Sequence, residues 1–311
     1  MITIILFLLG IVFLVKGGGW FVDGAVEIAH KFKIPELIIG ATIVSIGTTL
    51  PEVLVSAQAA FQGDAGISYG NAIGSIICNT SLISAILIAV TPSKVEKKPL
   101  IFPAITFFLA AIFYSLIASQ GSFSRTAGVI LLLMFAVYII ITIKNSPQTI
   151  EEHKTNTKYP WLFLLLGAVL IAFGAKLVVD NGTIIAELLG VPSSVIGLTV
   201  VALGTSLPEM TTAITSLVKG HNSLSIGNVI GANIFNLTLV SGTAITISPF
   251  DLPCEKLING MNASLLVDIP VMFFVMLLLC IPVFLKGKTY RWQGITLLIC
   301  YAGFCGYQFL F

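Results

Sequence analysis

The sequence predicts an all-α membrane protein in which ten transmembrane helices form two inverted five-helix repeats, with helices 2 and 7 broken. Three observations carry that prediction: a scarcity of charge, ten long apolar runs, and a gapless match of the second half to the first. The 311 residues are 57% hydrophobic and only 10% charged, and the mean hydropathy is +1.03. A soluble domain carries about 25% charged residues, so a surface this poor in charge faces hydrocarbon. The apolar runs lie near 1–15, 37–60, 67–92, 100–119, 126–143, 160–180, 194–218, 223–247, 263–285 and 292–311. Each approaches the roughly 17–25 residues that cross a bilayer as a helix. They are too long and too aliphatic for barrel strands.

Composition excludes other classes. A net charge of +2 is too small for a nucleic-acid partner. Cys78, Cys254, Cys280, Cys300 and Cys305 are scattered without CxxC or His-rich spacing, which argues against a disulfide framework or a soft-metal site. The opening MITIILFLLGIVFLV has no basic n-region and no small-x-small cleavage site, so it reads as an uncleaved first span.

Counting connections places Lys31, Lys33, Lys94, Lys97, Lys98, Lys144, Lys154, Lys158, Lys219, Lys286, Lys288 and Arg291 on one side, against Arg125 and Lys256 on the other. The positive-inside bias makes the richer side cytoplasmic and puts both termini outside an integral cell (inner) membrane protein. The halves are residues 1–144 and 160–311, joined by a polar cytoplasmic linker at 145–159.

The second half matches the first at a constant offset of 157 residues: GATIVSIGTTLPE (40–52) lies over GLTVVALGTSLPE (197–209), and ISYGNAIGSIICN (67–79) over LSIGNVIGANIFN (224–236). Gly17 matches Gly174, Asp23 matches Asp180, and Pro35 matches Pro192. Five spans per repeat is an odd number, so the second copy enters the membrane from the opposite face, as in secondary transporters with midplane sites. The interruptions GTTLPE and GTSLPE are where the two helices are expected to open. Proline removes a backbone donor there and glycine tolerates the bend, so freed carbonyls can face a cavity.

Glu52 and Glu209 fall mid-span, where a carboxylate is costly without a partner. No Lys or Arg sits at comparable depth in those spans, so the expected countercharge is an ion. Calcium takes 6–8 oxygen ligands at about 2.3–2.6 Å. Thr48, Thr49, Thr205 and Ser206 hydroxyls, Asn79 and Asn236 amides, and carbonyls at Ser45 and Ala202 can supply them. Histidine and cysteine ligands, which zinc or copper would favour, are missing, since Cys78, adjacent to Asn79, should face about 100° away on a helix. A lone buried Glu beside Pro would read as a kink anchor; duplication at the same repeat position argues against that. The GNxxG stretches at 70–74 and 227–231 suit close helix packing, with Asn71 and Asn228 structural. Asp23, Asp180 and Asp268 read as helix-end or interfacial residues.

These motifs resemble the two alpha repeats of the calcium/cation antiporter superfamily, in its sodium/calcium exchanger branch of prokaryotic type. The matching residues are GTTLPE at 47–52 with GNAIGSIICN at 70–79, and GTSLPE at 204–209 with GNVIGANIFN at 227–236. The resemblance implies Glu52 and Glu209 as shared acidic ligands, Thr48 and Thr205 oxygens at a calcium site, and carbonyls from Ser45 and Ala202. It implies Thr49, Ser206 and Ser75 along sodium sites, with Asn79 and Asn236 at central positions. Two departures stand out. Ala232 replaces a hydroxyl residue at the repeat partner of Ser75, and Asn236 stands where some relatives carry Asp, which argues against potassium co-transport. The implied transported ions are Ca2+ and Na+, with no cofactor, no nucleic acid and no obligate protein partner. A proton-coupled calcium antiporter is the alternative; a cation channel and an intramembrane enzyme using paired carboxylates rank lower.

Overall fold

A computed structural model describes residues 2–145, 159–189, 202–254 and 257–310. Ten helical segments lie among the described residues. They are α1 (Ile2–Phe32), α2 (Glu36–Gln62), α3 (Ala65–Val90), α4 (Lys97–Ala118), α5 (Arg125–Lys144), α6 (Pro160–Leu188), α7 (Ala202–Thr205 and Leu207–Val218), α8 (Asn222–Ile247), α9 (Ser264–Lys286) and α10 (Arg291–Leu310). Eight of them are long and apolar enough to cross a membrane, and the chain is a multi-pass membrane protein. Two short ribbons accompany the helices: β1 (Ser122–Phe123) pairs with β2 (Phe250–Asp251), and β3 (Leu257–Ile258) with β4 (Met261–Asn262). Residues 146–158 of the expected linker, Lys154 and Lys158 among them, fall outside the described residues. So do Lys256, Pro192 and the part of GLTVVALGTSLPE before Ala202.

Contacts group the chain into two compact units, Met1–Thr48 with Ser146–Asn228 and Thr49–Asn145 with Val229–Phe311. Each unit draws on both sequence halves, so compactness and the repeat partition the chain along different lines.

In the first unit, α1 is twice as long as the apolar run at 1–15 suggested. Its 31 residues rise roughly 46 Å at about 1.5 Å each. The run KGGGW does not end it, because glycine is what its packing needs. A Cβ on Gly10 would stand 2.9 Å from the Gly174 carbonyl, on Gly17 3.0 Å from that of Gly167, and on Gly24 2.6 Å from that of Pro160. The contacts recur every seventh residue and run in opposite directions, so α1 and α6 cross antiparallel with their backbones almost touching. Small residues permit such an approach in hydrocarbon. The repeat offset carries Gly10 to Gly167 and Gly17 to Gly174, so it turns the contact of Gly10 with Gly174 into that of Gly167 with Gly17. Phe21, Val22, Ala25, Ile28 and Ile171 complete the buried seam.

The second unit is built on α3, α5, α8, α9 and α10. Gly294 of α10 lies against α3, where a Cβ would be 2.6 Å from the Ala85 carbonyl. Gln293 Nε2 donates to the Leu278 and Leu279 carbonyls of α9 at 2.9 and 2.8 Å. Phe235 of α8 meets Phe135 and Tyr138 of α5 edge-on. At one end the connections after α3 and α9 meet in a bridge between Lys94 and Lys288. Elsewhere β1 and β2 join the connections after α4 and α8. These pairings are those that counting spans requires.

Repeat-equivalent residues make equivalent local bonds within their own units. Ser68 Oγ donates to the Ser56 carbonyl and Ser225 Oγ to that of Ala213, both at 3.1 Å. Gly63 and Gly220, with φ of 76° and 85°, turn the chain between α2 and α3 and between α7 and α8. Asn79–Ile83 and Asn236–Val240 are both π-helical turns.

Gly17→Leu and Gly167→Leu are each expected to lower stability by about 1–3 kcal/mol through overpacking. Gly303→Ala, whose Cβ meets nothing within 4 Å, leaves the melting temperature in detergent unchanged.

Candidate functional site

The first unit holds Ser45, Thr48, Ala202, Thr205, Ser206 and Glu209 of the expected residues. In the GTSLPE motif Ser206, at φ −88° and ψ 3°, lies between the helical pieces Ala202–Thr205 and Leu207–Val218. Pro208 sits at the start of the second piece, where its missing N–H costs nothing. Glu209 therefore lies in a helical first turn, whose dipole favours a carboxylate. Its side chain is fully buried. Ser206 and Glu209 have the S-x-x-E spacing of a capping box, but Ser206 makes no cap bond. Its buried hydroxyl has no hydrogen-bond partner among the described residues.

Ser45 and Thr48 are engaged on α2. Ser45 Oγ is 2.8 Å from the Gly40 carbonyl and 3.0 Å from that of Asn228, while Thr48 Oγ1 is 3.4 Å from the Ser45 carbonyl. Asn228 Oδ1 lies 3.3 Å from both hydroxyls. Asn228 is thus structural, tying α8 to α2 where Gly40 and Gly227 bring the backbones together; a Cβ on Gly40 would stand 2.4 Å from the Leu224 carbonyl.

The second unit holds Thr49, Glu52, Ser75, Asn79 and Asn236. Here the expectation of an opening at GTTLPE needs correction, because α2 continues as a helix through Pro51. One proline removes a single i to i−4 bond, the one to Gly47, and this helix absorbs the loss. The irregularity lies upstream, in a π-helical turn at Gly40–Val44. The carbonyl relieved of a donor by Pro51 is accordingly that of Gly47, which sequence reasoning passed over in favour of Ser45. Glu52 is fully buried. Its backbone carbonyl accepts from Asn71 Nδ2 at 3.1 Å, and the same amide donates to Ser56 Oγ at 2.8 Å. Asn71 is therefore structural as well, holding α3 to α2.

Asn79 and Asn236 open the two equivalent π turns. Both side chains are fully buried, and neither amide oxygen nor amide nitrogen has a hydrogen-bond partner among the described residues. A buried amide without a bond costs about 1–3 kcal/mol, so a matched pair of them is an invitation to a ligand. π turns concentrate at functional sites because the wide turn redirects side chains. Beside them lies a group that the sequence did not single out: Asn233 Nδ2 donates to Thr80 Oγ1 at 2.7 Å and contacts Met276 Sδ at 3.3 Å. Nothing in a single sequence marks Met276 as their partner.

Asp23 and Asp180 each stand in an ion pair. Asp23 pairs with Lys219 at 2.6 Å and Asp180 with Lys176 at 2.9 Å, all partly exposed. Asp268 accepts from Gln308 Nε2 at 3.1 Å.

Long apolar helices that bury hydroxyls, amides and two carboxylates define a membrane protein built around oxygen donors in its interior. Comparison makes the class specific. The family described as sodium/calcium exchanger protein matches residues 2–144 and 159–310, and the chain belongs to it. The chain is 31% identical to the sodium/calcium exchanger MaX1 of Methanosarcina acetivorans, over 98% of each sequence. It is 34% identical to the inner membrane protein YrbG of Escherichia coli, over 85% of this chain and 86% of that one. Among solved structures, the sodium-calcium exchanger NCX_Mj soaked with 2.5 mM Na+ and 10 mM Sr2+ superposes with a TM-score of 0.84 at 35% identity, over 97% of each chain.

The two kinds of asparagine separate experimentally. Asn228→Leu removes the side-chain acceptor that the Ser45 and Thr48 hydroxyls share and is expected to cost about 1–3 kcal/mol. Asn79→Leu and Asn236→Leu remove amides without a hydrogen-bond partner among the described residues, so melting in chelator without sodium is unchanged or raised.

Proposed function

We propose that the chain exchanges calcium for sodium across the membrane by alternating access. Its two inverted five-helix halves present Glu52 and Glu209 as the carboxylates for which both ions compete at a midplane site. Thr48, Thr205, Thr49, Ser206 and Ser75 hydroxyls, with carbonyls of Ser45 and Ala202, complete the oxygen set around the Asn79 and Asn236 amides. Family membership supports the ions. The observation that carries the ligand assignment is the matched pair of fully buried asparagines, each at the head of an equivalent π turn with no hydrogen-bond partner among the described residues. The antiparallel crossing of α1 and α6, whose contacts exchange under the repeat offset, supports the inverted arrangement.

Oxygen donors of mixed charge suit hard cations. The charges of two carboxylates balance one calcium ion or two sodium ions, so the two kinds of ion compete for one set of oxygen ligands. Asn236 keeps the site at two acidic groups. Ala232, fully buried, withholds the hydroxyl that Ser75 supplies in the first half. The excess of Lys and Arg in alternate connections supports a cytoplasmic linker and termini on the outer face.

Calcium uptake into proteoliposomes should follow an imposed sodium gradient and fall to background in Glu52→Gln and in Glu209→Gln. Unaltered uptake in both variants overturns the ligand assignment, and uptake driven by a pH gradient alone overturns sodium coupling. Ala232→Ser should lower the sodium concentration for half-maximal exchange several-fold; no change means that position holds no ligand.

A further inference from the structure

Six basic residues and one acid, Glu96, occupy two short segments of the second unit, 94–98 and 286–291. The segments form a single surface. Lys94 and Lys288 bridge, Val95 N donates to the Gly287 carbonyl at 2.9 Å, and Thr289 N donates to that of Ser93 at 2.9 Å. The arrangement is built on the end of α9. Gly287 takes a left-handed φ of 66°, and Lys97 Nζ reaches over it to donate to the Leu285 carbonyl at 3.1 Å. The remaining lysines and Arg291 are exposed. Lys288 Nζ stands 4.9 Å from the Tyr290 ring centre, and Trp292 is 54% exposed. Such aromatic rings lie at headgroup level in a membrane.

An apolar groove of about 400 Å³ adjoins this surface, lined by Ile101, Ala104, Ile105, Phe108 and Ile112 of α4 and by Phe284 of α9. Phe284 directly precedes Leu285, whose carbonyl holds Lys97, so the groove and the basic surface lie next to each other. From Ile101 to Ile112 the helix rises roughly 16 Å at about 1.5 Å per residue. That is about half of a hydrocarbon core roughly 30 Å thick, or the depth of one leaflet.

We propose that groove and basic surface together bind an anionic phospholipid, with one acyl chain along α4 and the phosphate against Lys97, Lys98 and Lys288. A zwitterionic lipid fills the groove but leaves the cations uncompensated. An acidic peptide matches the cations but has nothing for the groove. The charge excess falls on the side that the distribution of basic residues makes cytoplasmic, where anionic lipids attract polybasic segments. The inference does not rest on which ions the chain carries.

The test reads lipid, not transport. A chain with Trp20, Trp161 and Trp292 changed to Phe and with Phe284→Trp is placed in phosphatidylcholine vesicles containing dibrominated phosphatidylglycerol or dibrominated phosphatidylcholine. Brominated phosphatidylglycerol should quench the tryptophan at a several-fold lower mole fraction. Lys97→Gln, Lys98→Gln and Lys288→Gln should each weaken that preference up to about fivefold. Glycerol phosphate in solution should leave the quenching unchanged. Equal quenching by the two lipids overturns the proposal, as does displacement by glycerol phosphate. Native mass spectrometry of the unmodified chain, from detergent holding both lipids equally, supplies an independent reading. Retention of one phosphatidylglycerol supports the site, and indiscriminate retention overturns it.

Discussion

Inside a bilayer a polar group that finds no partner in the protein has no water to fall back on, and many polar side chains of the spans answer to that constraint. Serines and threonines of the spans turn their hydroxyls onto carbonyls a turn earlier, as Thr42 does with Ile38 and Thr238 with Ile234. Asn71 and Asn228 spend their amides binding helices together. Against that background the amides of Asn79 and Asn236 stand apart, buried as deeply as the rest yet bonded to nothing among the described residues. Asn71, Asn228 and Asn233 of the same helices each place one side-chain amide atom in a hydrogen bond, whereas in these two neither atom has one, which marks them as suited to a partner that is not protein.

Glycine serves the same constraint from the opposite direction. Without a solvent to drive apolar surfaces together, helices in lipid hold by close contact and dispersion. The glycines spaced by seven on α1 bring its backbone against α6. Gly40 and Gly227 do the same for α2 and α8. The polar residues gathered near these crossings, Ser45, Thr48 and Asn228, thereby come within hydrogen-bonding distance across helices that bulkier side chains would hold apart.

Much of this was legible in the residues. Hydropathy located the spans, and the offset match of GTTLPE with GTSLPE and of the two GNxxG stretches gave the repeat. Counting spans put the connections after α3 and α9 on one side, and the bridge from Lys94 to Lys288 joins them. Local geometry was less accessible. Proline beside glycine promised an opening in both motif helices, yet the helix through Pro51 continues while the one at Ser206 does not. Identical residue types meet different surroundings, and only packing decides between them. The length of α1 was also hidden, because the apolar run stops near residue 15 and the glycines beyond it find their use only against the facing glycines of α6. The π turns have no residue signature at all. Met276, which meets Thr80 of the first turn, is far away in sequence.

Those turns carry a record of how the chain arose. A π turn is an α-helix with one residue too many, a local surplus that the helix must bulge to hold. Two such surpluses at the same place in both halves, five residues each and headed by asparagine, are hard to acquire separately. They are simply inherited if the ancestral half already contained one. The extra residue then predates the doubling of the chain.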